Sequence, residues 1–175
     1  MSTDSTSQVI IIPLTKDQIT MVDQIDADLF FLKWCASRRM NYSVGVAFHA
    51  VHRFKLDNGT SKNIPIHRVI LSRMLGRELT SADIVDHING DPLDNRRSNL
   101  RLADTSQNRM NQGKRRDNKS GFKGVVFHPQ SGKWRARIKA RGIVYDLGLH
   151  DTPELASIAY GEGAKIHHGE FSKAT

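Results

Sequence analysis

Residues 85–101 read VDHINGDPLDNRRSNLR, and the fold of the surrounding chain turns on what this polar run is. Ile84 and Val85 lead into an Asp86–His87 pair, which places the pair at the end of a short strand. Gly90 turns the chain, DPLDNRRSN (91–99) supplies further turn chemistry, and Leu100 and Leu102 return to apolar alternation. The next segment, ADTSQNRMNQG (103–113), has the marks of a short helix: Asp104 as N-cap, Gln107 as its capping-box partner and Gly113 at the stop. The expected order is strand, structured loop, strand and helix, a path that can bring Asp86 and His87 against Asn108.

The chemistry open to that trio is narrow. An aspartate and an amide oxygen are hard ligands that leave most of a coordination sphere to water and phosphate, which suits Mg²⁺ or Mn²⁺ better than Zn²⁺. A histidine beside them, titrating near neutrality, can take a proton from an attacking water. Arg96 or Arg97 is a candidate to hold a neighbouring phosphate. Asn95 reads as a turn former, Asn111 as a helix-surface residue or phosphate contact, and His67 as a satisfied histidine at a strand-to-helix junction rather than a group facing the site. His49, His52, His128, His150, His167 and His168 lack ligand spacing; the last two are adjacent on a predicted helix and point apart, which favours a surface role for them.

Working outward, VIIIPLT (9–15) reads as a strand stopped by Pro13, and DADLFFLKWCASRR (26–39) as a helix burying Leu29, Leu32 and Trp34. Alternation from 41 to 70 around a DNG turn at 57–59 predicts a hairpin running into a helix over IHRVILSRML (66–75). Downstream, KRRDNKSG (114–121) has no apolar residue and reads as a basic linker, either a flexible tether or one that also lies along phosphates. FKGVVFHP, KWRARIKAR and IVYDLGLH, with PQSG and RG between them, predict a three-stranded antiparallel meander. A helix capped by Thr152, with Pro153 first, would lay Leu155, Ile158, Ala159 and Ile166 across that sheet.

The formal charge of the 175-residue chain is +8, and its location matters more than its size. Twelve lysines and arginines against Asp104 and Asp117 give residues 101–141 a charge of +10, which leaves −2 for the rest. Such asymmetry points to a polyanion, and to nucleic acid before membrane, because no amphipathic basic helix accompanies it. Within KWRARIKAR, Arg135, Arg137, Lys139 and Arg141 fall on one face and Trp134, Ala136, Ile138 and Ala140 on the other. Four cations on alternate residues span roughly 20 Å, a length suited to a strand in a DNA major groove. Arg109, Lys114, Arg115 and Arg116 are further candidates for phosphate contact. No apolar run approaches a membrane span, and the polar start MSTDSTSQ is not a signal peptide, so a cytoplasmic location, that of the host cell if phage-encoded, is expected. Cys35 is the single cysteine, which excludes an intramolecular disulfide and a thiolate zinc site.

Two resemblances sharpen these readings. The last third of the chain, through Lys123-Gly124-Val125, Gly132-Lys133-Trp134, Tyr145 to Gly148, Ala159-Tyr160 and His168-Gly169, resembles the ethylene-response-factor (Apetala-type) DNA-binding domain, also found in phage and bacterial endonucleases. It implies a three-stranded sheet on one helix, with Lys123, Arg135, Arg137, Lys139 and Arg141 as DNA contacts. Val126 and Phe127 stand where plant members carry arginines, so the plant target does not transfer. DHINGDPLDNRRSNLR followed by QNRMN resembles the HNH endonuclease family, in its phage and homing-type branch. That likeness implies a ββα-metal fold with Asp86 and Asn108 as metal ligands, His87 as general base and Asn99 as the residue that ties the loop to the backbone. The third position is Asn108 rather than the histidine that names the family.

The expectation is therefore an α+β protein: a disordered tail (1–8), an N-terminal α+β module (9–79), an HNH nuclease core (80–113), a basic linker (114–120) and an ethylene-response-factor-like domain (121–175). Its function would be site-selective hydrolysis of double-stranded DNA, by nicking or double-strand cutting, with one Mg²⁺ or Mn²⁺, as a monomer with no protein partner and no membrane. A catalytically inactive, sequence-specific DNA-binding regulator is the alternative.

Overall fold

Short-range signals decide most elements. In the computed structural model, which describes residues 8–41, 45–115 and 117–172, the DNG turn closes a hairpin of β4 (Gly45–Lys55) and β5 (Ser61–Pro65), with Leu56 N donating to Thr60 O at 2.8 Å. The described residues form two units: the first runs to Met40 and over Val46–Leu102, and the second takes Ala103 onward.

In the first unit β1 (Val9–Pro13) pairs antiparallel with β2 (Ile19–Asp23), and β3 (Trp34–Asn41) joins β4 and β5 in a three-stranded sheet. Helix α1 (Ile66–Leu75) follows β5 directly and ends on Gly76 in the left-handed region. A two-stranded pair, β6 (Ile84–His87) and β7 (Leu100–Ala103), carries the DHING loop. The first unit's core joins Ile12, Val22, Leu29, Trp34, Ala50, Ile66, Ile70, Leu71 and Leu100, with Val85 and Leu102 packed against it. The N-terminal hairpin, α1 and the β6–β7 pair thus share one apolar interior, because segments of roughly 30 to 40 residues are about the lower limit for burying a core alone.

The helix expected over 26–39 is a correction. Only Gln24–Phe31 is helical, as a 3-10 segment with Asp26 outside helical geometry, and β3 begins at Trp34. Leu29 and Trp34 are buried as expected and joined by a 2.7 Å bond from Trp34 Nε1 to Leu29 O, whereas Leu32 is exposed. Asp26 draws Arg73 and Arg97 onto its carboxylate, and those long-range bonds override the local helical pattern.

In the second unit α2 (Thr105–Asn111) has the expected capping box between Asp104 and Gln107. β8 (Val125–His128), β9 (Lys133–Ala140) and β10 (Ile143–His150) form the antiparallel meander, with β9 central. Arg141-Gly142 turns β9 into β10 with both residues at positive φ, as a two-residue hairpin requires. The sheet packs on α3 (Pro153–His168), which Thr152 caps through a bond from Leu155 N.

The stripe on α3 differs from the expected one. Leu155, Ile158 and Ile166 are 49%, 61% and 77% exposed, and the helix instead buries Ala156, Tyr160, Gly163, Ala164 and His168. Small residues win because they let the helix approach the sheet closely: a Cβ at Gly163 would sit 2.7 Å from Leu147. Gly124 is tighter still. It holds φ at 72°, and a Cβ there would overlap the Tyr160 ring and lie 2.7 Å from Arg137 O. Gly124→Ala is expected to destabilise the second unit by about 3 kcal/mol, through strain and overpacking together, read as a lowered melting temperature. A melting curve superimposable on wild type would remove Gly124 from this role.

Candidate active site

β6 ends by burying two polar residues in succession, Asp86 (5% exposed) and His87 (8% exposed). Successive strand residues face opposite ways, so each needs its own partner. Asp86 Oδ2 accepts from Arg101 Nε on the paired strand at 2.9 Å. His87 Nε2 lies 3.2 Å from Asn95 Oδ1, and its ring meets His67 edge to face at 5.2 Å.

The loop between β6 and β7 is braced throughout. Ile88 N donates to Asn99 O, and Asn89 N to Asn99 Oδ1, both at 2.9 Å; Asn99 Nδ2 donates to Asn89 Oδ1 and to Asp94 O. Asn99 is buried and holds the two ends of the loop together. Asp94 receives Arg96 through two 2.7 Å bonds and Asn89 Nδ2 at 2.8 Å. Arg97 donates its backbone N–H to Asp23 and its guanidinium to Asp26. The guanidinium groups of Arg96 and Arg97 are therefore engaged within the fold. From the N-terminal hairpin, Met21 N donates to Leu93 O at 3.0 Å and Met21 O accepts from Asn95 N at 2.8 Å, so β2 supports the loop from outside.

Asn111 and His168, both expected at the surface, are buried on their helices, and two further residues stand elsewhere than their local sequence indicated. Asn95 is fully enclosed and bonded to His87 and Thr20, beyond the role of a turn former. His67 lies among rings, with His87 on one side and His49 at 6.0 Å on the other, and its buried Nδ1 has no hydrogen-bond partner among the described residues. The expected satisfied histidine is thus corrected: ring packing, not hydrogen bonding, holds it. No spacing rule connects His49, His67 and His87, since they come from β4, α1 and β6. Asn108 belongs to the second unit, half-buried on α2, with its N–H on Asp104 O at 2.9 Å.

Burial pushes His49 down to about 4 and His67 down to about 2, with neighbouring imidazoles and Arg39 adding repulsion. Burial also lowers His87, against the opposing pull of its Asn95 bond and of Asp86, Asp91 and Asp94. All three imidazoles are neutral at pH 7, which leaves His87 able to accept a proton. The linkage has a definite sign. Above the unfolded value near 6.5 neither state binds the proton, while below it only the unfolded chain does, so stability is lost as pH falls. Each histidine held neutral costs about 1.4 kcal/mol per pH unit there. Urea midpoints are expected to fall between about pH 6.5 and 5, with His67→Phe showing a slope shallower by about one proton; equal slopes would contradict the assignment.

The HNH endonuclease family model matches residues 65–110, a span that runs from the start of α1 through most of α2. Protein 3.8 of Escherichia phage T7 is 32% identical over 89 residues, which are 51% of this chain and 73% of that protein. An uncharacterized HNH endonuclease of Acanthamoeba polyphaga mimivirus is 31% identical over 107 residues, 61% of this chain and 54% of its own length. The chain thus spans about half of that second relative. No solved structure matches. Among the described residues no helix is long and apolar enough to cross a membrane. With the buried Asp86–His87 pair and its braced loop inside the matched segment, the chain carries an HNH endonuclease domain over residues 65–110.

Proposed function

We propose that the protein is a site-selective DNA endonuclease that hydrolyses phosphodiester bonds with one divalent metal ion, Mg²⁺ or Mn²⁺, and with His87 as general base. The observation that carries this reading is a buried imidazole, whose burial disfavours its protonation, next to a buried carboxylate at the end of a strand whose loop is cross-braced. Asp86 is a hard oxygen donor beside His87, the family resemblance implies Asn108 as a second, and among the described residues no cluster of three His, Cys, Asp or Glu side chains could cage a metal ion. Such a sparse donor set fits a cation that keeps water and phosphate in its sphere. When bound, that ion would stabilise charge on the phosphate and on the departing 3′ oxygen. His87 removes the proton of the attacking water, and Asn99 keeps the loop closed behind it.

Targeting is assigned to the second unit, in line with its resemblance to the ethylene-response-factor domain. On β9, Ala136, Ile138 and Ala140 are buried while Arg137 and Lys139 are exposed. Arg135 is bonded to Asp146, and Arg141 lies in the turn rather than on the strand. Arg137 and Lys139 also border a cleft of about 760 Å³, together with Arg109, Lys114, Arg115 and Lys123. Its acidic lining residue, Asp117, is paired with Arg115. Lys123 donates to Met110 O and stands 6.0 Å from the Tyr160 ring centre, so it braces the cleft as well as charging it. Arg116 lies outside the described residues. A nuclease core that reads mostly phosphate needs such a second surface to choose a sequence.

Supercoiled plasmid incubated with the full chain and Mg²⁺ is expected to become nicked or linear, and to remain supercoiled with chelator. Plasmid that is bound yet never cut would instead identify a DNA-binding regulator. Charge reversal at Arg137 and Lys139 is expected to weaken duplex binding and to reduce the salt dependence of log Kobs by about 1 for each phosphate no longer neutralised. An unchanged salt slope would place the DNA elsewhere.

A further inference from the structure

We propose that Asn95 and Thr20 are positioning residues that fix the tautomer of His87, placing its proton on Nε2 and its lone pair on Nδ1. Asn95 Nδ2 donates to Thr20 Oγ1 at 2.7 Å and to Pro92 O at 3.3 Å, and Thr20 Oγ1 donates to Leu93 O at 2.7 Å. Thr20 and Asn95 are both wholly enclosed. The two carbonyls settle the direction of every bond, because a carbonyl oxygen only accepts. Leu93 O takes the single hydroxyl hydrogen of Thr20, so that hydroxyl must accept from Asn95. Turning the amide over would set Asn95 Oδ1 against Pro92 O, two acceptors face to face, and would compete with Leu93 for the threonine hydrogen. Asn95 Oδ1 therefore faces His87 Nε2 at 3.2 Å, and a neutral imidazole meets that oxygen with its N–H.

The consequence runs from one end of the unit to the other. Thr20 lies on β2, 75 residues before Asn95, and the same strand clasps the loop through Met21. The N-terminal hairpin thus helps to set which nitrogen of the candidate base holds the lone pair. That this matters for cutting rests on the nuclease reading above; the tautomer itself does not.

The test keeps the two apart. The full chain with ¹⁵N-labelled histidine, free of metal and held at about pH 8, is examined by long-range ¹H–¹⁵N NMR, with His87 identified by the signal lost in His87→Gln. The expected pattern is a protonated Nε2 and an unprotonated Nδ1. In Thr20→Val the His87 tautomers are expected to mix and kcat for plasmid nicking to fall about 10-fold, and in Asn95→Leu about 100-fold, with KM little changed and Thr20→Ser restoring both signals. A wild-type His87 protonated on Nδ1 overturns the proposal without any variant. A folded Thr20→Val and a folded Asn95→Leu that both keep the wild-type tautomer overturn it as well. The expected tautomer in a chain that never cuts DNA would uphold the positioning and remove only the nuclease reading.

Discussion

His87→Ala is expected to lower the rate of plasmid nicking in Mg²⁺ by about 10²–10⁴-fold, the range that a positioned general base supplies. The variant should remain folded. The contacts of His87 include a hydrogen bond with Asn95 and a ring contact with His67, and its loop is closed independently by Asn99, Asp94 and Arg96. Removing a partly desolvated imidazole that must stay uncharged also relieves part of the acid sensitivity of the unit, so the variant should lose activity while melting no earlier at about pH 5 relative to pH 7 than wild type. Circular dichroism and a nicking assay on the same preparation read both effects. Equal nicking rates for wild type and His87→Ala would exclude His87 as the base.

The second large effect is expected on stability and lies away from the candidate base. Asp26 is fully buried and accepts from Arg97 Nε at 2.7 Å, Arg97 Nη2 at 3.0 Å and Arg73 Nη1 at 3.1 Å. Asp26→Ala would leave two guanidinium groups side by side without the carboxylate between them. Breaking a buried pair on one side costs about 3–5 kcal/mol, and the low end applies here because both arginines retain some exposure to water. A loss of about 3 kcal/mol corresponds to a melting temperature lower by roughly 10–20 °C for a unit of this size. Asp28 provides the control. It pairs with the same Arg73 at 2.7 Å, yet its side chain is 62% exposed, and Asp28→Ala is expected to cost under about 1 kcal/mol. Similar losses for the two variants would show that Asp26 is not the centre of this network.

Both expectations rest on contacts of different range, and that range separates what is legible in the sequence from what is not. Asp86 and His87 at a strand end, the Asp104–Gln107 capping box, the DNG hairpin and the Thr152 cap are all specified within a few residues, and each stands where the chain itself indicates. The in-out alternation of β9 is equally local, since it needs only the pleat of one strand. The stripe on α3 escapes a local reading because hydrophobicity alone favours Leu155, Ile158 and Ile166, whereas closeness of approach to the sheet favours alanine and glycine. The segment 26–39 departs from the expected helix for a related reason: a short apolar run fits helix or strand until Asp26 and Trp34 find their partners. The strand Ile19–Asp23 carries no distinct local pattern, although it holds Thr20 and supports the loop.

The sequence by itself determined most of the elements outside residues 19–41, the sign and place of the charge, and the order of the Asp86, His87, Asn99 and Asn108 motif, because propensity, capping and turn chemistry act between near neighbours. Only the tertiary structure decided how residues of one type divide their work. Asn99 closes the loop and Asn95 faces the imidazole; Arg97 neutralises Asp26 while Arg137 remains at the surface. These distinctions depend on partners such as Asp26 and Thr20, 71 and 75 residues away along the chain, and on the loss of water around them. A hydrogen bond of that reach leaves no local trace, and its direction is set by burial, where every donor must find an acceptor.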